Sequence, residues 1–276
     1  MGNVITDIQD LTYLEWSKVR KSSGTAGSFL KAVTGTGKDK RYYKLSDFDS
    51  VNGITGHECV NEIIADRLLD LLGVEHLSYD LIHAEIRIQD KTYLTWLCAS
   101  DDYKHPAEAK TAFDIYFEAD RTRGESVMEY CIRKGWDDYL YRMFTVDFLI
   151  LNRDRHGANL EVLTDRKTQQ VRLSPLFDHG LSFVFSCHDL DALERFDVTG
   201  DYPVQCFAAS HSARSNLDLI PNEQFPVFNE LKADDYEYMF ADLQEALDQP
   251  WLDKIREMIR QRWSIYEDLR NQKLSG

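Results

Sequence analysis

The hydrophobic pattern changes period near residue 102, and that change restricts the folds open to the chain. Before it, Ser28–Val33, Arg41–Ser46, Ser78–Gln89 and Lys91–Ala99 are short runs rich in β-branched and aromatic residues, which read as strands. One helix lies among them. Thr55-Gly56-His57-Glu58 has capping-box spacing, apolar residues recur at 60, 63, 64, 68, 71 and 72, and Gly73 supplies the stop. After residue 102, apolar residues recur every three or four positions, which predicts helices over Ala107–Arg121, Glu125–Lys134, Asp137–Leu151, Asp234–Leu247 and Leu252–Leu274. Two short strands, Leu160–Thr164 and Gln170–Leu173, interrupt them. The expected class is α+β in two lobes: a small mixed β lobe with one helix over residues 1–102, and a larger, mainly helical lobe over 103–276. The cleft between two such lobes is a favoured ligand site.

Charge and cysteine content narrow the function classes. Lys and Arg number 32 against 47 Asp and Glu, a net charge of −15, and neither half is basic. Direct nucleic-acid binding, which needs clustered cations, is therefore not expected. Five cysteines, Cys59, Cys98, Cys131, Cys187 and Cys206, form no C-x-x-C pair, so the reading is a reduced, cytoplasmic protein without a disulfide framework. The first ten residues have neither a basic n-region nor an apolar h-region, and nowhere do 18 apolar residues run together. Neither secretion nor a membrane location is expected.

The chemistry concentrates in Phe148–Asn159, where an apolar helix runs into Asn152, Arg153, Asp154, Arg155, His156 and Asn159, and in Ser174–Gly180, where a strand ends in Phe177-Asp178-His179-Gly180. Polar groups crowded at a helix end are costly to bury and need partners or a job. Phosphoryl transfer from MgATP is such a job, because it needs a carboxylate for the attacking hydroxyl, oxygen ligands for Mg²⁺ and a lysine for the phosphates. Asp154 and Asn159 stand five apart, the separation of base and metal ligand in the protein-kinase catalytic loop, and Asp178-His179-Gly180 takes the place of D-F-G. Lys44 lies in the strand-like run Tyr42-Tyr43-Lys44-Leu45, where an unpaired ammonium would be expensive.

The signature Asn152-x-Asp154-x-His156-x-x-Asn159 with Pro175-Leu-Phe-Asp178-x-Gly180 resembles that of the HipA-like kinases, including the CtkA-type bacterial protein kinases. More remotely it is similar to the phosphatidylinositol kinases, which share the D-R-H-x-x-N order. The likeness extends to Ser22–Lys31, similar to that family's phosphate loop, and to Gly56-His-Glu58-x-x-Asn61-Glu62, and so covers roughly residues 20–180. It implies a two-lobed kinase acting on Ser or Thr of a protein substrate, with ATP and Mg²⁺ or Mn²⁺. It further implies an antitoxin or small-lobe partner protein, since some members are toxins of toxin–antitoxin pairs. By that resemblance Asp154 is the catalytic base, Asn159 and Asp178 hold the metal, Lys44 contacts phosphate, and His156 is either a participant or a prop of the loop. Ser23, Gly24, Thr25 and Gly27 would cradle the phosphates, with Ser22 or Ser23 open to self-phosphorylation. Glu62, or alternatively Glu58, would pair with Lys44, although both fall opposite the helix's apolar stripe, where a solvated face is the other reading. Leu97 and Ala99, where a kinase hinge would lie, are the expected adenine neighbours.

Other signals are weaker. Gly35-Thr36-Gly37-Lys38 imitates a Walker fragment, but Asp39 stands where Ser or Thr should be, so it reads as a hairpin turn. His57 with Cys59 and Cys187 with His188 lack metal-ligand partners at known spacing. The tail Trp251–Leu274 reads as a packed final helix. The enzymatic alternative is a small-molecule or inositol-lipid kinase, and the non-enzymatic one a nucleotide-binding module without transfer.

Overall fold

The computed structural model describes residues 3–17, 29–49 and 51–275. Its main sheet has five strands in the order β1 (Val4–Asp10), β4 (Asp80–Ile88), β5 (Lys91–Asp101), β3 (Arg41–Leu45) and β2 (Lys31–Thr34). β1 runs parallel to β4, and the other neighbours are antiparallel. β4 and β5 form a hairpin in which Ile88 faces Lys91, with Gln89 at a left-handed φ of 55°. Gly35-Thr36-Gly37-Lys38 is the hairpin turn between β2 and β3. A Cβ on Gly35 would meet the Asp39 carbonyl oxygen at 2.0 Å, so the turn requires glycine.

The two sheet faces serve different cores. Ile82, Ala84, Ile86, Leu97, Ala99 and Leu45 point one way and pack with Leu11, Leu14 and Leu30. Leu81, Cys98 and Lys44 point the other way, towards α1 (Glu58–Leu72). All of α1 except Asp70 and Leu71 is buried, because the sheet covers one side and the helical lobe the other. Its expected capping box does not form: the His57 side chain makes no capping bond, and Ser46 Oγ, arriving from the end of β3, accepts the Cys59 N–H at 3.0 Å. Glu58 accepts from the Asp47 N–H at 3.1 Å instead of reaching back along its own helix. At the other end Gly73, at φ 71°, closes α1 as expected.

The helical lobe is built from α2 (Phe113–Asp120), α3 (Val127–Lys134), α4 (Asp137–Ile150), α5 (Leu190–Arg195), α6 (Ala213–Asp218), α7 (Ala233–Phe240) and α8 (Gln249–Ser275). The helix expected over Ala107–Arg121 begins instead as β6 (Glu108–Ala112), which pairs with β7 (Glu161–Asp165) and through it with β8 (Val171–Leu173). Helix-forming Glu108, Ala109 and Lys110 yield there to a ladder held by the bidentate Glu108–Arg172 pair at 2.7 and 2.9 Å. α7 stops at Phe240, short of Leu247, where Arg67 of α1 donates to the carbonyls of Tyr238, Met239 and Ala241. α8 is packed, with Ile255, Met258, Ile259 and Trp263 buried. Its buried Arg262 donates to the carbonyls of Phe148, Val198 and Gly200 at 2.6 to 2.8 Å. Among the described residues no helix is long and apolar enough to cross a membrane.

Candidate active site

Lys44 leaves β3 on the face covered by α1 and is only 9% exposed. Burying an ammonium is tolerable only with well-placed partners, and two are present: Glu62 Oε1 at 2.9 Å and the Asp178 carboxylate. Burial works against the Lys44 charge, but Asp178 and Glu62 overrule it and hold the amine protonated well above its ordinary range. Glu62, not Glu58, is thus the lysine's partner. The solvated-face reading fails for both, because α1 has no wet side at this level. Glu62 Oε2 also accepts the His179 N–H at 2.8 Å, so one carboxylate joins β3 to the Asp178-His179-Gly180 turn.

That turn is backbone-strained. Asp178 has φ 59°, an uncommon conformation for a non-glycine residue, and such outliers persist where surrounding contacts over-determine them. The segment after α1 supplies those contacts: the Leu77 N–H donates to Leu176 O at 2.8 Å, the Leu176 N–H to Glu75 O at 3.1 Å, and the Asp178 N–H points at the Tyr79 hydroxyl at 3.4 Å. Asn61 of α1 donates to Gly180 O and Ser182 O at 2.9 and 3.1 Å.

The loop after α4 is organised by Asp147, the one acid in the apolar run that ends this helix. Its carboxylate accepts from Asn152 Nδ2 at 3.0 Å and from both sides of the Arg155 fork, at 2.8 and 3.0 Å. Asn152 Oδ1 in turn accepts the Asp154 N–H at 3.1 Å. Arg155, fully buried, donates onward to Phe177 O at 2.8 Å, which ties this loop to the Asp178 turn. Asn159 Nδ2 donates to Asp154 O at 2.7 Å, leaving the amide oxygen as its remaining ligand atom. Burial and the neighbouring Asp178 charge push the Asp154 carboxyl up, against the pull of His156, Lys44 and Arg155. His156 Nε2 lies 3.7 Å from Asp154 Oδ2, while its Nδ1 accepts the Ala158 N–H at 3.2 Å, so the imidazole both props the loop and faces the candidate base. Burial opposes the Asp178 charge, but Lys44 and Lys31 outweigh it and hold the carboxyl below the usual range. An ionised carboxylate with an amide oxygen is a hard donor set of the kind that suits Mg²⁺.

Beside Lys44 and Asp178 lies a cavity of about 150 Å³. Lys31, Tyr42, Cys98, Ser100, Tyr103 and Phe177 contribute to its walls. Leu97 and Ala99 do not: they point through the sheet into the small core, and the side chains one position on, Cys98 and Ser100, take their place. Strand alternation is the cause, since Cys98 and Ser100 stand opposite Lys44 and Tyr42 and so share their face. Ser23, Gly24, Thr25 and Gly27, with Ser22, lie outside the described residues.

The sequence matches no protein-family profile and no curated protein. In fold it is similar to the Helicobacter pylori proinflammatory kinase CtkA, with a TM-score of 0.61 over 97% of this chain and 98% of that one, at 14% identity. The chain has a CtkA-type kinase fold. HipA of Shewanella oneidensis MR-1, solved with HipB and operator DNA of a toxin–antitoxin system, aligns over 92% of this chain and 68% of that one at 14% identity, with a TM-score of 0.45.

Within this CtkA-type fold, three contributors carried no assigned role in the sequence reading. Asp147 and Arg155 had a usable signal, a lone acid and a basic residue at opposite ends of the same apolar-to-polar junction. Lys31 stands directly opposite Lys44 on β2 and therefore projects to the same face, a relation visible only once the hairpin register is known.

Proposed function

We propose that the chain is a kinase that binds MgATP between its lobes and transfers the γ-phosphoryl group to a Ser or Thr hydroxyl of a protein. The observation that carries this reading is the buried Lys44–Glu62–Asp178 ion-pair group, which joins a strand, a helix and the turn following a second sheet beside an open cavity. In this assignment residues 1–102 form the nucleotide-binding lobe and 103–276 the catalytic lobe. Lys44, with Lys31 beside it, meets the phosphates. Asn159 and Asp178 would hold Mg²⁺, which neutralises phosphate charge when bound. Asp154 receives the proton of the attacking hydroxyl as the new O–P bond forms and ADP leaves. Its raised pKa makes it a better base than an exposed aspartate, and the Asp147–Arg155 network fixes its position. By the resemblance, Ser23, Gly24, Thr25 and Gly27 would supply groups to the phosphates, and Ser22 or Ser23 would be the residue that undergoes self-phosphorylation.

The test is the intact mass of the protein before and after incubation with MgATP, with Asp154→Ala alongside. A gain of about 80 Da per phosphoryl group in the wild type alone supports transfer to a protein hydroxyl. A wild type that binds nucleotide, hydrolyses none and gains no mass, even with cell extract as substrate, refutes it.

A further inference from the structure

Two thiols meet under the backbone of Lys44. The Cys59 thiol, in the first turn of α1, donates to the Lys44 carbonyl at 3.2 Å, and Cys98 Sγ lies 3.8 Å from the same oxygen. Cys98 is the cross-strand partner of Lys44 and forms part of the cavity wall. Both sulfurs thus sit against one and the same oxygen atom. Both are free and only 1% exposed. Phosphoryl transfer has no use for sulfur at this point, whereas two neighbouring thiols, one of them on a cavity wall, have a well-defined chemistry of their own.

We propose that Cys59 and Cys98 form an oxidisable dithiol, a modification site at which a hydroperoxide entering the cavity makes an intramolecular disulfide. The Cys98 sulfur, on the cavity side, attacks one peroxide oxygen. The O–O bond breaks, the departing oxygen takes up the thiol proton and leaves as an alcohol, or as water from hydrogen peroxide, and Cys98 becomes a sulfenic acid. The Cys59 sulfur then attacks Cys98, expelling hydroxide, which leaves as water with the Cys59 proton. Two thiols and one hydroperoxide thus give one disulfide, one alcohol and one water, with sulfur oxidised by two electrons and the O–O bond reduced. The neighbouring Cys59 sulfur and burial both hold the Cys98 thiol well above its ordinary range, so the reaction is slow and responds to oxidative exposure instead of running as a peroxidase cycle.

Closure has a structural consequence. A disulfide requires the sulfurs to approach to about 2.05 Å, well inside hydrogen-bond contact, and it removes the Cys59 thiol from the Lys44 carbonyl. The first turn of α1 is drawn towards β5, and Glu62, three residues along the same helix, moves against Lys44. On the reading of the cavity as a nucleotide site, oxidation therefore lowers nucleotide affinity, and reduction restores it.

The experiment exposes the full chain to hydrogen peroxide, alkylates the remaining thiols after denaturation, and maps peptides without reductant. Linked peptides containing Cys59 and Cys98, about 2 Da below the sum of their reduced masses, are expected in the wild type and in Cys206→Ser. They should vanish on treatment with a thiol reductant and be absent from Cys98→Ala and Cys59→Ala. In parallel, a fluorescent ATP analogue should bind the oxidised wild type about tenfold more weakly than the reduced protein, and the Cys98→Ala protein with no dependence on peroxide. Cys59 and Cys98 that stay alkylatable under exposure that oxidises Cys206, or that proceed to sulfinic acid without linking, overturn the proposal. A linked disulfide with unchanged affinity overturns its regulatory half. Absence of analogue binding by the reduced wild type counts against the kinase reading, and the peptide map then decides the dithiol alone.

Discussion

Replacing His57 by phenylalanine should flatten the acid side of the protein's stability profile. His57 precedes α1, and its Nε2 is buried without a hydrogen-bond partner among the described residues. Burial first, and the nearby His188 second, lower its pKa from 6.5 to about 4. The unfolded chain, with an ordinary histidine, therefore binds a proton that the folded chain refuses between about pH 6.5 and 4. Across that window stability falls as pH falls, and the loss is complete once pH reaches the folded value. A displacement of about 2.5 units at 1.36 kcal/mol per unit would cost about 3 kcal/mol, nearer 2 because one edge of the ring meets solvent. Urea denaturation at half-unit steps from pH 4.5 to 7.5, on wild type and His57→Phe, isolates this contribution, because every other titrating group is common to both. The stability of the variant relative to wild type should rise by about 2 kcal/mol from pH 7 to pH 4.5, with little change above pH 7. A difference that stays constant over the whole range would refute the argument, and would mean that the imidazole protonates in the folded state with water or a moved neighbour beside it.

Glu62→Gln cannot satisfy both neighbours: one amide end serves Lys44 or the His179 N–H, and the other presents a donor to a donor. With Asp178 still on Lys44, the loss should be about 2–4 kcal/mol by chemical denaturation, together with weakened nucleotide binding. Arg262→Met leaves three carbonyls without their donor and should cost about 2–4 kcal/mol, visible as a thermal midpoint lowered by roughly 5–10 °C. The two faces of β5 should separate cleanly. Leu97→Ala should cost about 2–4 kcal/mol without altering affinity for an ATP analogue, whereas Ser100→Phe should block analogue binding at a stability cost of about 1 kcal/mol.

The order of elements and the two chemical segments were legible because each rests on short-range spacing. Asp154 and Asn159 belong to one loop, Asp178 follows one strand, and the β2–β3 turn is written in four residues. Features decided by distant partners were not. β1 carries Asp7 and Asp10 on an edge strand and is defined by its pairing with β4, some 75 residues away. β6 is made of helix-forming residues and is a strand only because β7 lies beside it. On β5 the strand itself was plain but its facing was not, since Leu97, Cys98 and Ala99 are all buried and alternation leaves no polar side to read.

The same reasoning applies to α1. An amphipathic reading assumes one wet face, and it left that face as the alternative for Glu58 and Glu62 beside the ion pair that the resemblance implied. In a helix enclosed on both sides, a polar residue has no solvent to turn to and must find partners in the structure. Asn61 holds the carbonyls of Gly180 and Ser182, Glu62 holds Lys44 and the His179 N–H, and Asp66 accepts the Tyr79 N–H at 2.5 Å while Tyr79 reaches Asp178. The Asn61 and Glu62 bonds lead from α1 to the Asp178 segment or to the lysine opposite it, and the Asp66 bond leads to Tyr79, whose hydroxyl faces the Asp178 N–H. The polar residues of α1 that face away from its apolar stripe find those partners within the structure, and Asn61 and Glu62 find them at the site itself, on the turn and on the lysine that the sequence motifs had already singled out.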